Sequence, residues 1–576
     1  MAGPNGVRLV ELRVLEGPNL YFTRPAVKLT LSVPGWLRLS EDRATSLAEH
    51  IGLRGTRRAG GQPGAKESER RRRFVARLST HVSRRMAAES GARVAVRART
   101  GHEPDEIVVA FPWRRRGAAE ALGREIARML GGLLTARRPF AELVEEAAGR
   151  LLKVEPGPGP ALTVPTIPVV MVTGTNGKTT TVRLLHHLLQ EAGLSAAYTS
   201  TDGVYLNGRR VQEGDYSGPG GASMALSQPG VEAVVLEVAR GGILLKGIGA
   251  SHNDVAVVTN VSADHLGLHG IWTLDQLAEV KATITRITRP QGWDVLNADD
   301  PRVLAMRRGA RGRPFLFSLD ADHPALRYAL GEGGRGMAPL DGSLVLLSPG
   351  PVVRDLVPLE EVPVTLAGVS SQHTQNAMAA AAAALGIGLS LEDVVSGLRS
   401  FVLDPERNPG RANLFELDGK VVVVDYAHNE AGMTGLVEIC RGLRKPGARI
   451  WLAYGTAGDR TDEVIHALGY VAARGADSVA VVELHRYLRG REPRDIVDRL
   501  RAGAVDGGAT EVPDFPDEMR GLQWMLRRAR RDDVVAITAL AQRPEIFRYL
   551  KDRGARRIGP GRCRQLARRA RRANAA

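Results

Sequence analysis

The sequence predicts a multidomain α/β protein with three parts: a small α+β domain, a central parallel-sheet domain with a phosphate-binding loop, and a C-terminal Rossmann-like domain. Two stretches, 168–409 and 410–550, alternate apolar runs with helical patterns, as parallel sheets covered by helices do. A proline- and glycine-rich segment separates them from a more mixed N-terminal region. With 576 residues, 43% of them hydrophobic, the chain is long enough for several cores.

The N-terminal 153 residues mix strand-like runs such as VRLVELRVL and IVVAF with helical ones, including an amphipathic stretch over 118–152. This mixture predicts the small α+β domain. Residues 154–167 follow, with four prolines and interleaved glycines, and we predict a linker there.

The central domain is predicted from the apolar runs PVVMVTG, AVVLEVA, DVAVVTN and DVLNADD, which alternate with helical segments. The C-terminal domain is predicted in the same way from VVVVDYAH, ARIWLAYG, SVAVVEL and VVAITAL. Ligands of such open sheets bind at the carboxyl ends of the strands. We therefore expect the functional residues at those ends.

Composition excludes several classes of protein. The longest charge-free, mostly apolar stretch runs from Met378 to Leu391, well short of the roughly 20 residues that cross a bilayer. The first residues lack the basic-then-apolar layout of a secretory signal, so we expect a cytoplasmic protein without a membrane span. Only Cys440 and Cys563 are present, too few for a disulfide framework or a cysteine-only metal site.

The net charge of +16 is concentrated in two segments. Residues 54–73 carry eight Arg or Lys against two Glu, and residues 551–576 carry ten against one Asp. Such runs are usually solvated, so we predict a partly disordered basic tail over 551–576. An acidic polymer could bind it, whereas nucleic acid is not the expected partner.

The strongest local signal is an apolar strand that runs into a glycine-rich turn and then a helix. Glycines let backbone N–H groups converge on phosphate oxygens, a lysine adds a point charge, and a threonine hydroxyl can ligate Mg²⁺. The predicted ATP-binding residues are Gly174, Thr175, Asn176, Gly177, Lys178, Thr179 and Thr180.

The turn, TGTNGKTT, resembles that of Mur ligases and folylpolyglutamate synthases, and NVSADHLGLHG with a later lysine resembles the Mur metal block. The resemblance implies two Mg²⁺ ions, the first held by Thr179 and Glu237 and the second by His265. It also implies that Lys281 is a candidate for carbamylation. The predicted catalytic residues are Lys178, His265 and Lys281.

The segments QHTQNAMAAAAA, NPGRANLF and VVVVDYAHNEAG resemble further Mur-ligase elements. The resemblance implies that Asn376 contacts adenine, Arg411 a phosphate and Asp425 the ribose. The distance along the chain between these residues and the phosphate loop implies that ATP lies between two domains, whose closure excludes water.

Among ligases, the chain most resembles the Mur half of cyanophycin synthetases. The stretches 199–222, 236–249, 296–303, 458–469 and 487–492 carry this resemblance, and the opening block VLEGPNLYFTRPAV extends it to the N-terminal domain. Those enzymes have an ATP-grasp domain where this chain has only the linker. We therefore expect the aspartate-adding activity of that domain to be missing.

Candidate substrate residues are less specific. Several polar side chains after the first helix of the central domain could hold a carboxylate, although Asp202 and Asp215 could equally cap turns: Thr201, Asp202, Asp215, Ser217 and Arg240. Charged residues of the C-terminal domain could hold the amine, although a solvated face explains each of them equally well: Asp459, Arg460, Asp462, Glu463 and Arg489. His428 and Asn429 are further weak candidates for substrate contacts.

The predicted function is an ATP-dependent ligase that couples a carboxylate, small or peptidic, to an amino acid or amine through an acyl phosphate. Two alternatives stay open. One is another Mur-type ligase, acting on folate or a cell-wall precursor. The other is a noncatalytic ATP-binding partner that holds an acidic polymer or RNA. A homo-oligomer is compatible with the sequence.

Overall fold

The computed structural model describes residues 6–56, 58, 61–135, 137–264, 266–350 and 353–575. The chain divides into two compact units. The first comprises Met1–Pro165, Gly218–Ser223 and Val238–Ser251, and the second comprises the rest. Within the described ranges, no helix has both the length and the apolar character needed to cross a membrane.

The first unit is built on a four-stranded antiparallel sheet in the order β1-β2-β4-β3. Helices pack against this sheet around Trp36, Leu78, Phe111 and Ile126, all fully buried. Its elements are β1 (Arg8–Leu15), β2 (Ala26–Ser32), α1 (Pro34–Leu37), α2 (Glu41–His50), α3 (Glu69–Glu89), β3 (Arg97–Thr100), β4 (Glu106–Pro112), α4 (Arg116–Gly132) and α5 (Phe140–Leu151).

The second unit contains an eleven-stranded sheet, of which the seven central strands are parallel. Its strands are β5 (Val169–Thr173), β6 (Ala196–Ser200), β7 (Gly203–Leu206), β8 (Arg209–Glu213), β9 (Ala233–Glu237), β10 (Asn253–Val258), β11 (Thr288–Asn297), β12 (Arg313–Phe317), β13 (Arg335–Leu340), β14 (Ser343–Leu347) and β15 (Val353–Pro358). The order is β15-β14-β13-β12-β11-β10-β5-β9-β6-β7-β8. Because β5 lies between β10 and β9, the loop that follows β5 lies beside the ends of both neighbours.

Three helices of this region, the first and the last two, bury alanine, leucine and valine in the core of the sheet, and the other helices connect its strands. In chain order, the helices are α6 (Lys178–Glu191), α7 (Pro219–Leu226), α8 (Arg240–Leu245), α9 (Leu274–Lys281), α10 (Pro301–Ala305), α11 (Pro324–Gly331), α12 (Ser371–Gly386) and α13 (Leu391–Ser400). Short 3₁₀ helices cover Thr285–Ile287, Met306–Gly309, Leu359–Glu361 and Pro363–Thr365. All of α8 belongs to the first unit.

A second sheet of seven strands follows in the order β20-β19-β18-β21-β17-β16-β22. Its elements are β16 (Asn413–Leu417), β17 (Lys420–Asp425), α14 (Glu430–Leu443), β18 (Ile450–Tyr454), α15 (Asp462–Gly475), β19 (Ser478–Val482), a 3₁₀ helix (His485–Tyr487), α16 (Pro493–Asp506), β20 (Asp514–Phe515), α17 (Glu518–Arg528), β21 (Val534–Thr538), α18 (Arg543–Asp552), β22 (Arg556–Arg557) and α19 (Pro560–Ala575). Strands β17 to β21 of this sheet pair in parallel. The predicted fold class, two α/β sheets in tandem after an α+β region, is confirmed.

The prediction of a partly disordered basic tail over 551–576 is wrong. Residues 560–575 form α19, whose Cys563, Leu566, Ala567 and Ala570 recur at helical spacing and are buried. Arginines on the remaining face pair with acidic residues of other elements, namely Arg562 with Glu416, Arg568 with Glu360 and Arg569 with Asp532. The basic segment therefore contains an amphipathic helix, α19, which packs against other elements of the second unit.

Candidate active site

The predicted phosphate loop connects β5 to α6 and depends on two glycines. Gly177 caps α6 in the left-handed region with φ of 87°, and a Cβ there would lie 2.2 Å from Oδ1 of Asn376. At Gly174, a Cβ would lie 1.8 Å from the hydroxyl oxygen of Thr259. Only glycine fits either position, so the loop keeps its backbone close to its neighbours and opens at the N-terminus of α6.

A strap formed by residues 259–262, directly after β10, fixes the loop. The backbone N–H groups of Thr175 and Asn176 donate to the backbone oxygen and Oδ1 of Asn260, at 2.9 and 2.8 Å. The Thr259 hydroxyl donates to the Asn176 oxygen at 2.7 Å. These bonds tie the phosphate loop to the strap at three points.

Two lysine side chains converge on the first glycine of the loop. Nζ of Lys281, which is buried at the end of α9, donates to the Gly174 oxygen at 2.7 Å. Nζ of Lys178 donates to the same oxygen at 3.1 Å and to the Thr175 oxygen at 2.9 Å. Burial lowers the pKa of Lys178, and the nearby carboxylates of Glu237 and Asp264 oppose this shift. Two cationic groups thus stand at the end of β5, where an anion would be stabilised.

The carboxylate of Glu237, at the end of β9, lies against the start of α6. Its Oε2 accepts from the Thr179 hydroxyl at 3.0 Å, while Oε1 is buried without a hydrogen-bond partner among the described residues. Burial raises the pKa of Glu237, and Lys178 opposes the shift. A buried carboxylate oxygen without a donor is costly and is satisfied by a hard divalent cation.

In the described part of the chain, no cluster of three His, Cys, Asp or Glu side chains could hold a metal ion. Mg²⁺ is commonly held by one or two protein oxygens together with phosphate oxygens and waters, which suits the Thr179 and Glu237 pair. The predicted ligand His265 lies outside the described residues.

The predicted adenine, phosphate and ribose residues are also near the loop or each other. Asn376, buried on α12, accepts from the Thr181 hydroxyl at 3.4 Å. The Arg411 guanidinium stacks 4.5 Å above the ring of Tyr426, and Oδ2 of Asp425 accepts from the Ala412 N–H at 2.7 Å. Burial raises the pKa of Asp425, against the opposing charge of Arg411.

A reciprocal amide pair joins the loop to the C-terminal sheet. Nδ2 of Asn176 donates to Oδ1 of Asn429, and Nδ2 of Asn429 donates to Oδ1 of Asn176, both at 3.1 Å. Oδ1 of Asn429 also caps α14 by accepting from the Gly432 N–H at 2.9 Å. One side chain therefore serves both a helix N-terminus and the phosphate loop.

Replacing Asn429 separates these two roles. Asn429→Asp keeps the cap acceptor but removes the donor to Asn176, so we expect near wild-type stability and a loss of roughly fivefold in nucleotide affinity, as for one lost hydrogen bond of about 1 kcal/mol. Asn429→Ala removes both and should also lower the free energy of unfolding by about 1 kcal/mol. Urea unfolding and nucleotide titration measure the two effects. Equal nucleotide affinity in Asn429→Asp and wild type would contradict the role of the pair.

Asp264, two residues after the strap, provides a second bridge to the C-terminal sheet. Its Oδ1 accepts from Arg460 at 3.2 Å, and its Oδ2 lies 3.5 Å from Nε2 of His428. Arg460 is buried and also donates to Oδ1 of Asp459 at 3.1 Å. Asp459 and Arg460, two of the predicted amine-site residues, are thus brought together with His428, another substrate candidate.

An arginine cluster behind the loop was missed by the sequence analysis. Arg183, buried on α6, donates to Asp202 at 2.6 Å and to Asn408 at 3.1 Å, and Asn408 in turn donates to the Thr180 hydroxyl at 3.2 Å. Arg543 lies 3.6 Å from the other oxygen of Asp202. Burial would raise the pKa of Asp202, but the arginines outweigh it and lower the pKa. The sequence did contain a signal for a buried ion pair, because the charged Arg183 interrupts the apolar face of α6.

The other candidate substrate residues are less well placed. Asp215 closes a local turn, accepting from the N–H and hydroxyl of Ser217 at 3.0 and 2.6 Å, which agrees with the turn-capping alternative. Thr201 and Arg489 are exposed, Arg489 with a left-handed φ of 53°. Arg240 begins α8 in the first unit.

Two family models match the chain. The Mur ligase middle domain covers residues 172–384, and the Mur ligase glutamate ligase domain covers residues 410–540. Both the phosphate loop and Glu237 lie in the first match, and Arg411, Asp425, Asn429 and Arg460 lie in the second.

Known proteins agree with these matches. A cyanophycin synthetase of Crocosphaera subtropica is 37% identical over 372 residues, which are 64% of this chain and 42% of that protein. The chain spans about half the length of the cyanophycin synthetases it matches. The structure of E. coli FolC in complex with DHPP and ADP has the same fold, with a TM-score of 0.50 at 20% identity over 68% of this chain and 91% of that one.

A further relative is covered more fully. The UDP-N-acetylmuramoyl-L-alanyl-D-glutamate–2,6-diaminopimelate ligase of Alkalilimnicola ehrlichii is 31% identical over 376 residues, which are 64% of this chain and 70% of that ligase. The predicted resemblance to Mur ligases and cyanophycin synthetases is confirmed. The chain belongs to the Mur ligase family.

Proposed function

We propose that the protein is an ATP-dependent ligase that activates a carboxylate as an acyl phosphate and couples it to an amine. The observation that carries the proposal is the buried Oε1 of Glu237, which has no donor among the residues that the structure describes and lies beside the phosphate loop that holds Lys178. This arrangement suits a nucleoside triphosphate with its metal ion. The ligase names of the relatives support the same reaction class.

In the proposed complex, the N–H groups of residues 177–180, at the N-terminus of α6, face the phosphates of ATP, while those of Thr175 and Asn176 stay bonded to Asn260. Asn376, Asp425 and Arg411 take the roles of adenine, ribose and phosphate contacts. Support for this comes from the position of Asn376 against Gly177, and from the stacking of Arg411 on Tyr426, the residue after Asp425. The amide pair of Asn176 and Asn429 holds the two sides of the site together.

Thr179 and Glu237 would hold the first Mg²⁺, which when bound offsets the negative charge of the triphosphate. A second ion would use His265. Lys281 is proposed to be carbamylated, which would replace an ammonium by a carboxylate-like group. The proposal is supported by the position of its buried amine beside the phosphate loop, 2.7 Å from the Gly174 oxygen.

The reaction follows from this arrangement. A carboxylate oxygen of the substrate attacks the γ-phosphorus and the bond to the β-phosphate oxygen breaks, giving an acyl phosphate and ADP. Lys178 stabilises the charge that spreads over the transferring group. The amine nitrogen then attacks the acyl carbon, its proton passes to solvent, and the carbon–oxygen bond to phosphate breaks. No side-chain nucleophile is required.

The substrates are proposed at the level of chemical class. Arg460, already oriented by Asp264 and Asp459, suits the α-carboxylate of an incoming amino acid. The carboxylate to be activated would enter near Asp202 and its arginines. Cyanophycin-related peptides are the first compounds to test, because cyanophycin synthetases are among the relatives.

Amine-dependent release of ADP tests the proposal. Purified protein with Mg-ATP is supplied with pairs of a peptide or small carboxylate and an amino acid, and ADP is measured with a coupled assay. We expect at least one pair to give turnover that needs both partners and Mg²⁺. Absence of ADP release with every pair, despite tight ATP binding, would overturn the ligase proposal in favour of a noncatalytic role.

A further inference from the structure

A cleft of about 730 Å³ opens on the second unit, outside the candidate active site. It is bounded by the segment before α12, the middle and end of α14, the end of α15, and α19. Valines 369, 437 and 471 line it, together with Tyr470, which is 44% exposed. The cleft thus combines an apolar floor with an aromatic ring that contacts water.

Three arginines give this cleft its charge. Arg441, Arg474 and Arg571 line it and are exposed, and none of them forms an ion pair within the described part of the chain. Arg441 donates to the Arg474 oxygen at 2.7 Å, and Arg571 donates to the Ala367 oxygen at 2.5 Å, which orients two of the guanidinium groups. Each keeps further N–H donors beyond that bond.

Among the described residues, the one acidic residue that lines the cleft does not pair with these three arginines. Glu438 accepts from the N–H and the hydroxyl of Ser371 at 3.0 and 2.5 Å, at the start of α12. Other arginines of α19 pair with carboxylates, whereas Arg571 does not do so among the residues that the structure describes. The cleft therefore carries an excess of positive charge, which favours an occupant with several carboxylates.

The cleft is within reach of the phosphate loop. Two of its walls continue into helices whose other parts contact that loop, since Asn376 lies on α12 and Asn429 caps α14. At 1.5 Å per residue, Ser371 at the start of α12 lies about 8 Å from Asn376 along the helix, and Arg441 lies about 18 Å from Asn429 along α14. An extended peptide of about six residues covers the longer distance.

We propose that this cleft binds an acidic peptide segment, as the part of a peptide substrate that is distant from its reacting carboxylate. The three guanidinium groups would pair with its carboxylates, and Tyr470 and the valines would pack against its backbone and methylene groups. The inference rests on the proposed ligase function for the role of the peptide, but the binding itself does not depend on turnover.

Fluorescence anisotropy with a labelled deca-aspartate tests the proposal on the full chain. We expect salt-dependent binding that the variant R441A/R474A/R571A weakens at least tenfold. A matched control, R354A/R531A/R548A, removes three exposed arginines of the second unit outside the cleft and should stay within twofold of wild type. If the triple variant fails to fold, the single substitution Arg474→Glu, at an exposed residue, provides the test and should also weaken binding of the peptide.

The outcomes separate this proposal from the ligase function. Lys178→Ala should bind the peptide as wild type does although it turns over no ATP, and the cleft variants should keep their affinity for nucleotide. Equal peptide binding by wild type, R441A/R474A/R571A and Arg474→Glu would overturn the proposal. Displacement of the peptide by single-stranded RNA at lower concentrations than by unlabelled deca-aspartate would also overturn it, since the cleft would then prefer phosphates.

Discussion

Lys178→Ala is expected to lower ATP turnover by about 10²–10³-fold or more, as removal of one preorganised charge from a reacting centre does. The reason is local. Nζ of Lys178 is held 2.9 and 3.1 Å from the Thr175 and Gly174 oxygens, at the mouth of the phosphate loop. Lys281, whose amine also contacts the Gly174 oxygen, is proposed to be carbamylated and would therefore not replace the lost positive charge.

The fold should survive this change, because burial already disfavours the charged form of Lys178. Thermal unfolding of Lys178→Ala should therefore resemble that of the wild type. Lys551→Ala, which replaces an exposed lysine at the end of α18, is the matched control and should keep full turnover. Normal turnover by a folded Lys178→Ala protein would show that the phosphate assignment is wrong.

Glu237→Gln is expected to affect activity and stability in opposite directions. The substitution keeps an acceptor for the Thr179 hydroxyl but removes the charge that would hold Mg²⁺, so turnover should fall by about 10²–10³-fold. Burial places the pKa of Glu237 above its ordinary value. The stability that this carboxyl contributes is then fully present below its unfolded pKa and lost as pH rises through its folded pKa.

At pH 8 without metal, the Glu237→Gln protein, whose side chain is neutral, should consequently melt at a higher temperature than the wild type. Mg²⁺ with a nonhydrolysable ATP analogue should raise the melting temperature of the wild type more than that of the variant, because binding to the folded state is linked to stability. Scanning fluorimetry with and without the ion measures both effects. A variant that responds to Mg²⁺ as the wild type does would contradict the assignment of Glu237.

Much of the fold could be predicted because its signals are local. Apolar runs bounded by turns mark β5, β9, β10 and β17. Glycine is required at two positions of the phosphate loop, because a Cβ there would lie only 1.8 to 2.2 Å from a neighbouring side-chain oxygen. The basic tail could not be predicted correctly from its charge. What decides its structure is burial of Leu566 and Ala567 against the rest of the unit, and a charge count does not reveal that partner.

The site was only partly predictable for a similar reason. Lys178, Thr179 and Glu237 belong to patterns with a known chemical meaning, and the structure brings them together. Arg183 interrupts the apolar face of a helix and Asn408 belongs to no pattern, but the sequence does not reveal their partners, because Arg183, Asp202 and Asn408 meet only when distant segments fold together. Conversely, Asp215 and Arg489 have charged side chains that could bind a substrate. However, Asp215 is bonded within a local turn, and Arg489 is exposed.

Transfer of oxygen from substrate to phosphate tests the central claim most directly. A carboxylate substrate labelled with ¹⁸O, taken from the pair that gives turnover, is incubated with the protein, Mg-ATP and the amine. If the carboxylate is activated as an acyl phosphate, each molecule of released phosphate carries one ¹⁸O atom, which mass spectrometry detects. Amide product accompanied by unlabelled phosphate would contradict the account, because phosphate would then have been released without ever being bonded to the carboxylate.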